Sequence, residues 1–457
     1  MRGIGWLVAT VALGCATMTP ERPAALPDAA PRGEKAASEP AGPWLLFRGG
    51  NLLTAAGPVL EKTDLLVSGD RIQAIGRGLD APEGARVIDV QGRWVTPGLV
   101  DPHSHIGVYP NPGVAAHADG NETSNPFTPE VRAEEGFWPQ DPGIRAARAG
   151  GVTTIHVLPG SANLVGGQGV TLRLVPRVTV REIRFPGAPA TMKMACGENP
   201  KRVYGQEKRN APVTRMAEVA LLRQKLEDAR AYKTENDKPA DYAKLALQRV
   251  VKGEILIENH CYRADEMAVR LELFREFGIK PRAFHHAVEA YKIRALLAAD
   301  EVGAVVWSDW WGRKLEMLDA VPANAALLEA AGVRVALHSD SPYEIQRLNL
   351  MAARAMAAGK RAGIEIGREQ AIRWITANPA WVLGIERRTG TLEPGKDADV
   401  TVWSGDPFSV YTRAELVFIA GELVYDRRDA ERPGPTDFEL GLDAAPAAPS
   451  RSEGAER

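Results

Sequence analysis

The 457-residue chain sets 56 Lys and Arg against 58 Asp and Glu, a net charge of −2. It carries no basic field of the kind that binds nucleic acid. Its 45% hydrophobic and 25% charged residues are those of an ordinary globular protein, with room for one barrel of about 250 residues and a smaller domain. No internal apolar run is long enough to span a bilayer.

The first 15 residues read differently. Arg2 precedes an apolar run from Ile4 to Leu13, and Ala12-Leu13-Gly14-Cys15 follows. This resembles a bacterial lipoprotein signal cleaved before Cys15, with lipid added to that cysteine. The expected location is therefore the periplasm or outer membrane, with the membrane touched only through an N-terminal lipid anchor. Residues 16–42, rich in Pro, Ala and charge, read as a flexible tether. Without Cys15 two cysteines remain, Cys196 and Cys261, and the sequence leaves open whether they pair.

Residues 43–95 hold short alternating runs broken by Gly and Asp, which predicts a small antiparallel β unit. The same texture returns over residues 387–429, so both chain ends are expected to build one β-sandwich. Residues 430–457 are rich in Pro, Ala, Ser and acid, and predict disorder. Residues 96–386 alternate apolar runs with helical stretches, the pattern of parallel βα units. Eight strands are expected: Val95–His105, Val152–Pro159, Val170–Val175, Thr191–Cys196, Ile255–Cys261, Arg282–Val288, Val302–Asp309 and Val333–Asp340. Eight such units make a (β/α)8 TIM barrel, so the fold class is α/β. Val178–Phe185 competes for the third strand. Val213 to Val251 predicts an inserted helix or helix pair, and Gly166-Gly167-Gln168-Gly169 a tight turn.

The first of these strands ends in Asp101-Pro102-His103-Ser104-His105. Side chains repeat with period two along a strand, so His103 and His105 leave on one face and can share a metal ion. Alone, such a pair is a weak signal. Yet six of the eight histidines fall at strand ends, where barrel enzymes place their sites: His103, His105, His260, His285, His286 and His338. Lys193 lies in strand four, and Asp340 ends strand eight.

These motifs, with Pro97-Gly98-Leu99-Val100-Asp101-Pro102-His103-Ser104-His105 and Leu392-Glu393-Pro394-Gly395-Lys396-Asp397-Ala398-Asp399, resemble the amidohydrolase superfamily, in particular its imidazolonepropionase-like group. The resemblance runs from about Leu46 to Arg427. It implies a barrel with a composite β-sandwich and a metal-activated hydroxide attacking an amide-like carbon. It implies His103, His105 and Asp340 as ligands of a deeper divalent metal, with zinc the expected ion, and His260 and His286 as ligands of a second where one exists. His285 is read as a packed residue behind its strand. Many binuclear members bridge their metals with a carboxylated lysine, for which Lys193 is placed. Glu198 is the alternative bridge, and a mononuclear site without a bridge is the third option.

Asp340 is the expected proton shuttle. Arg202, Tyr204, Arg263 and His338 are candidate substrate contacts, and Trp310 and Trp311 candidate pocket walls. His156 and His117 are read as packed or supporting residues. The expected substrate is a small amide, cyclic amide or dipeptide; a homo-oligomer is left open. Three rivals stand beside the cyclic-amide hydrolase. An exported dipeptidase would use a carboxylated lysine. A deaminase would want a glutamate where Arg263 stands. A binding lipoprotein without catalysis would not need a complete ligand set.

Overall fold

The computed structural model describes residues 42–234, 239–310 and 312–429. The lipoprotein signal, the tether up to residue 41, the tail from residue 430 and Trp311 lie outside the described residues.

Near the N-terminal end five strands form first: β1 (Trp44–Leu52), β2 (Leu60–Ser68), β3 (Arg71–Gly76), β4 (Arg86–Asp89) and β5 (Trp94–Pro97). The barrel strands follow as β6 (Leu99–Ser104), β7 (Val152–Val157), β8 (Val165–Arg173), β9 (Thr191–Ala195), β10 (Leu256–Cys261), β11 (Ala283–His286), β12 (Gly303–Val306) and β13 (Val335–Leu337). The chain then returns to the first sheet as β14 (Val400–Trp403), β15 (Ala414–Ile419) and β16 (Glu422–Asp426).

The first sheet runs β16-β15-β14-β5-β1-β2-β3, with β4 also on β1. Its two halves meet where β5 pairs antiparallel with β14, Val95 opposite Val402. Phe47 from one chain end packs edge-on against Phe418 from the other, 5.0 Å between ring centres. Neither end can bury its apolar face alone, so the sandwich needs both.

Val95–His105 is two strands. The break is at Gly98, where an added Cβ would collide with the Thr153 side chain. There the chain leaves the sandwich and enters the barrel. The barrel sheet holds eight strands in sequence order, β6 to β13. Trp374 and Ile375 bridge its ends: the Leu337 N–H donates to the Trp374 carbonyl (2.8 Å) and the Val100 N–H to that of Ile375 (2.9 Å).

The third strand departs from the parallel scheme: β8 is antiparallel to both β7 and β9. The connection from β7 to β8 covers only residues 158–164. A parallel crossover needs about a dozen residues or more, so this connection returns as a hairpin. The Gly166–Gly169 run lies inside β8 and is not a turn. Its small residues admit neighbours instead: a Cβ on Gly169 would meet His156 and Thr191. Val178–Phe185 contributes a short helix, Val180–Ile183, and no strand.

Residues Val213 to Val251 contain two helices, Arg215–Ala231 and Tyr242–Val251. Each starts on a capping side chain: Thr214 accepts from the Ala217 N–H and Asp241 from the Lys244 N–H. Leu222, Leu226, Leu247 and Val250 pack with Met192 of β9 and Ile257 of β10. That packing holds rigid the two strands that carry Lys193 and His260.

Candidate metal and active site

At the C-terminal ends of the barrel strands the histidines converge. His103 and His105 come from β6 and its exit, His260 from β10, His286 from β11, and His338 and Asp340 from the exit of β13. The His103 ring lies 4.6 Å from that of His286 and 5.2 Å from that of His338. His260 and His286 are 4.4 Å apart. Asp340 Oδ1 sits 3.2 Å from His105 Nε2 and 3.8 Å from His103 Nε2, and Oδ2 sits 4.0 Å from His286 Nδ1.

Hydrogen bonds decide which nitrogens are free. His105 Nδ1 lies 2.8 Å from the Leu158 carbonyl, which can only accept. A neutral His105 therefore turns a bare Nε2 lone pair toward the Asp340 carboxylate. Two acceptors face each other, an arrangement that calls for a cation between them. Both ring nitrogens of His260 and of His338, and Nδ1 of His286, are buried without a protein partner. Buried polar atoms are otherwise nearly always paired. Among the described residues of this cluster, two ligand sets have donor atoms close enough to share an ion: His103, His105 and Asp340; and His103, His286 and His338, with the predicted ligand His260 in neither. Imidazole and carboxylate donors suit zinc and similar divalent ions. The residues present thus fit a metal centre.

Backbone conformation helps to assemble the cluster. In register, β10 sets His260 beside His285 and Cys261 beside His286. Paired residues point to one face, so alternation would turn His286 away from His260. His286 and Ala287 instead adopt φ of 69° and 40°, and Asp340 adopts 50°. These left-handed residues break the alternation and admit both histidines of β11 to the interior. Asp101, fully buried, accepts from the N–H of His103 (3.1 Å), the N–H of Ser339 (3.3 Å) and the Ser339 hydroxyl. It ties the first strand to the last beside the ligands. Burial raises its carboxyl to about 7, against those hydrogen bonds.

Lys193 is buried in β9, opposite Glu258 of β10. Its Nζ lies 3.2 Å from His103 Nε2 and donates to the Pro159 carbonyl at 3.0 Å. Burial lowers its pKa to about 8, although Asp340 and Glu258 pull it up. For Asp340, burial acts to raise the pKa. Its surroundings, with His105 at 3.2 Å and His338 and the Lys193 amine nearby, outweigh that and hold it below the usual carboxylate value.

The other predicted residues fall elsewhere. Glu198 pairs with Lys314 at 3.2 Å rather than with the histidines. Arg202 is ion-paired with Glu207 at the surface, and Arg263 makes two 2.9 Å bonds to Asp265. Tyr204 is buried and donates to the Asn125 carbonyl (2.8 Å). Of the four candidate substrate contacts, only His338 joins the cluster. Trp307 stacks on His286 at 4.4 Å and Trp310 stacks on Trp307 at 4.8 Å, so the pocket wall begins three residues earlier than expected. His117 packs on Trp138.

His156 is held between the hydroxyls of Thr171 and Thr191, each at 3.0 Å. Burial, with the nearby positive groups, depresses its pKa to about 3, and that of His338 likewise. Below the ordinary imidazole value near 6.5 the unfolded chain binds protons that these native histidines refuse. Stability is therefore expected to fall with pH from 6.5 downward, by about 2 kcal/mol per such histidine at pH 5, and to be insensitive to them above 6.5. Denaturant midpoints of metal-free protein across this range measure it; His156→Asn should flatten the slope.

Sequence reasoning passed over Glu258 and misplaced His285. Both lie inside the barrel and are fully buried, with Glu258 hydrogen-bonded to His285 Nε2. The signal was present, because Glu258 and His260 stand two apart on one strand and share its inner face.

Comparison with known proteins agrees with this architecture. A model of the amidohydrolase family matches residues 288–425. The crystal structure of an amidohydrolase from Thermotoga maritima MSB8 superposes with a TM-score of 0.78 at 36% identity, covering 84% of this chain and 100% of that one. The amidohydrolase tasK of Hapsidospora irregularis is 32% identical over 400 residues; the match takes in 79% of this chain but only 40% of that relative's length. The imidazolonepropionase of Rhizobium meliloti is 26% identical over 83% of this chain and 93% of its own. With its barrel, composite β-sandwich and converging histidines, the chain belongs to the amidohydrolase superfamily.

Proposed function

We propose that the chain hydrolyses the C–N bond of a small cyclic or linear amide with the help of one or two divalent cations, zinc being the expected ion. The observation that carries this reading is the cluster of buried histidine nitrogens without hydrogen-bond partners beside the converging donors of His103, His105 and Asp340. His103, His105 and Asp340 would hold one ion, and His260 and His286 a second, with His338 beside them. When bound, such an ion acidifies water toward a pKa of about 7 and polarises a carbonyl.

Asp340 takes the proton of the attacking water and delivers it to the leaving nitrogen. Its depressed pKa keeps it ionised, and so ready to accept, in the resting state. Trp307 and Trp310 present flat apolar faces that exclude water beside the reacting bond. The match to an imidazolonepropionase along nearly its whole length supports a cyclic amide as substrate. Hydrolysis of a panel of cyclic amides and dipeptides, before and after chelation and metal return, tests the reading; chelation without loss of turnover would refute it. His103→Ala is expected to lose most of its metal, since a three- or four-ligand site is left incomplete. Elemental analysis of protein purified without chelator measures this.

A second reading, an exported dipeptidase with a bridged metal pair, is favoured by Lys193. A buried amine with a pKa near 8 is readily neutral, and a neutral amine attacks carbon dioxide. The new N–C bond forms as one C=O π bond of carbon dioxide opens and the amine gives up one proton, leaving a carboxylate carried on Nζ. The disulfide between Cys196 and Cys261, whose Cα atoms are 5.3 Å apart, supports maturation in an oxidising compartment, as export would provide.

A further inference from the structure

Beneath the metal-facing histidines lies a chain of three buried polar side chains. The carboxylate of Glu258 meets Nε2 of His285, and Nδ1 of His285 lies 2.8 Å from Nδ1 of His103. All three residues are fully buried. The interior of such a barrel is normally filled with branched apolar side chains, so a glutamate and a histidine at this depth call for a reason.

The proton positions along this chain follow from its ends. Between two Nδ1 atoms only one carries the hydrogen. If His285 donated, its Nε2 would be bare against the Glu258 carboxylate, and His103 would carry its hydrogen on Nε2. That second hydrogen would point at Lys193 Nζ, 3.2 Å away, and toward Asp340 Oδ1. Lys193 is itself a donor. With Lys193 donating to His103 Nε2 and Glu258 accepting from His285 Nε2, the opposite arrangement satisfies the three hydrogen-bond contacts of the chain. His103 donates from Nδ1 to His285, His285 donates from Nε2 to Glu258, and His103 Nε2 is left bare toward Lys193 and Asp340.

We infer that Glu258 and His285 are positioning residues that fix the tautomer and ring orientation of His103, holding its Nε2 lone pair on the metal site. This rests on the metal-site reading above for its purpose, but the tautomer itself is a property of the metal-free protein. Outer partners of ligating histidines commonly do this work, and their loss costs about 10–100-fold in metal affinity. The pair differs from the usual outer partner in that a second imidazole stands between carboxylate and ligand. It carries the carboxylate's influence from β10 through β11 to β6, across the barrel interior.

Two measurements test it. In metal-free wild-type protein labelled with 15N-histidine, with the His103 resonances assigned by their loss in His103→Ala, His103 should show a protonated Nδ1 and a bare Nε2. The reverse pattern overturns the inference whatever metal the site holds. In His285→Phe, which keeps a ring of similar size but no nitrogen, zinc affinity by chelator competition should fall about 10–100-fold, with the thermal melt still cooperative. Affinity within twofold of wild type in a folded variant overturns it too. Should His285→Phe not fold, the wild-type tautomer still decides. Should wild-type protein bind no zinc, the metal-site reading fails, and the resonance pattern remains a separate test of the pair.

Discussion

Asp340→Asn is expected to lose about 10²–10⁴ in kcat while keeping its fold and most of its metal. The residue has φ of 50°, a region that asparagine tolerates as aspartate does, so the backbone has no reason to move. The Asp340 N–H still donates to the His103 carbonyl at 3.2 Å. An amide oxygen can take the place of the carboxylate oxygen facing His105. What asparagine cannot do is accept a proton from water and hand it on. KM should change little, because the lost interaction belongs to the transition state. Single-turnover and steady-state kinetics on metal-replete variant measure the drop. Retention of more than about a tenth of wild-type kcat would assign the proton transfer to another group. Glu289 is poorly placed for that, since its carboxylate accepts from the Ala264 N–H and pairs with Lys292. His338, buried with both nitrogens unpartnered, would be next.

The positions that could be read from sequence are those where the chain's period and its chemistry coincide. His103 and His105 lie two apart at the end of an apolar run, and the strand geometry follows directly. The pairing of the two chain ends into one sandwich was legible as a repeated texture, because both ends alternate and neither has enough apolar surface to stand alone. The antiparallel course of β8 was not. It depends on the length of one connection, and glycines that resemble a turn in sequence serve close packing inside the strand. The fate of the arginines was hidden for a different reason. Arg202 and Arg263 each have an acidic neighbour within five residues, and the local pair captures them before any substrate can. His285 reads as a packed residue because His286-Ala287-Val288-Glu289 is the run that matches the family, and alternation along a strand sets its neighbour on the other face. Only the left-handed backbone at His286 and Ala287 removes that constraint, and no residue type announced it.

Lys193→Ala separates the two proposed chemistries. The lysine is almost wholly buried at the level where β6, β9 and β10 approach, its Nζ beside a proposed metal ligand. Were it to remain an ammonium, it would stand 3.2 Å from His103 Nε2 and repel any cation bound there. Conversion to a carboxylated amine replaces that positive charge with a negative one that two cations stabilise together. In the bridged case Lys193→Ala should drop the metal content from about two ions per chain to one or fewer, with a matching loss of turnover. Acetate, propionate or bicarbonate should then restore part of both, because the cavity left by the side chain can admit a small carboxylate. A bridged pair can stabilise the attacking oxygen and the substrate carbonyl at once, which suits unactivated peptide-like amides. If metal content is unchanged in the folded variant, no bridge exists, and the single-ion chemistry of His103, His105 and Asp340 stands. The substrate panel should split the same way: dipeptides turned over by a two-ion enzyme, cyclic amides by a one-ion enzyme. A variant that loses its metal but is not restored by any short acid would leave neither bridge nor ammonium as the role of Lys193. It would instead make the lysine a structural prop for His103, to be recognised by a lowered melting temperature in the metal-free protein.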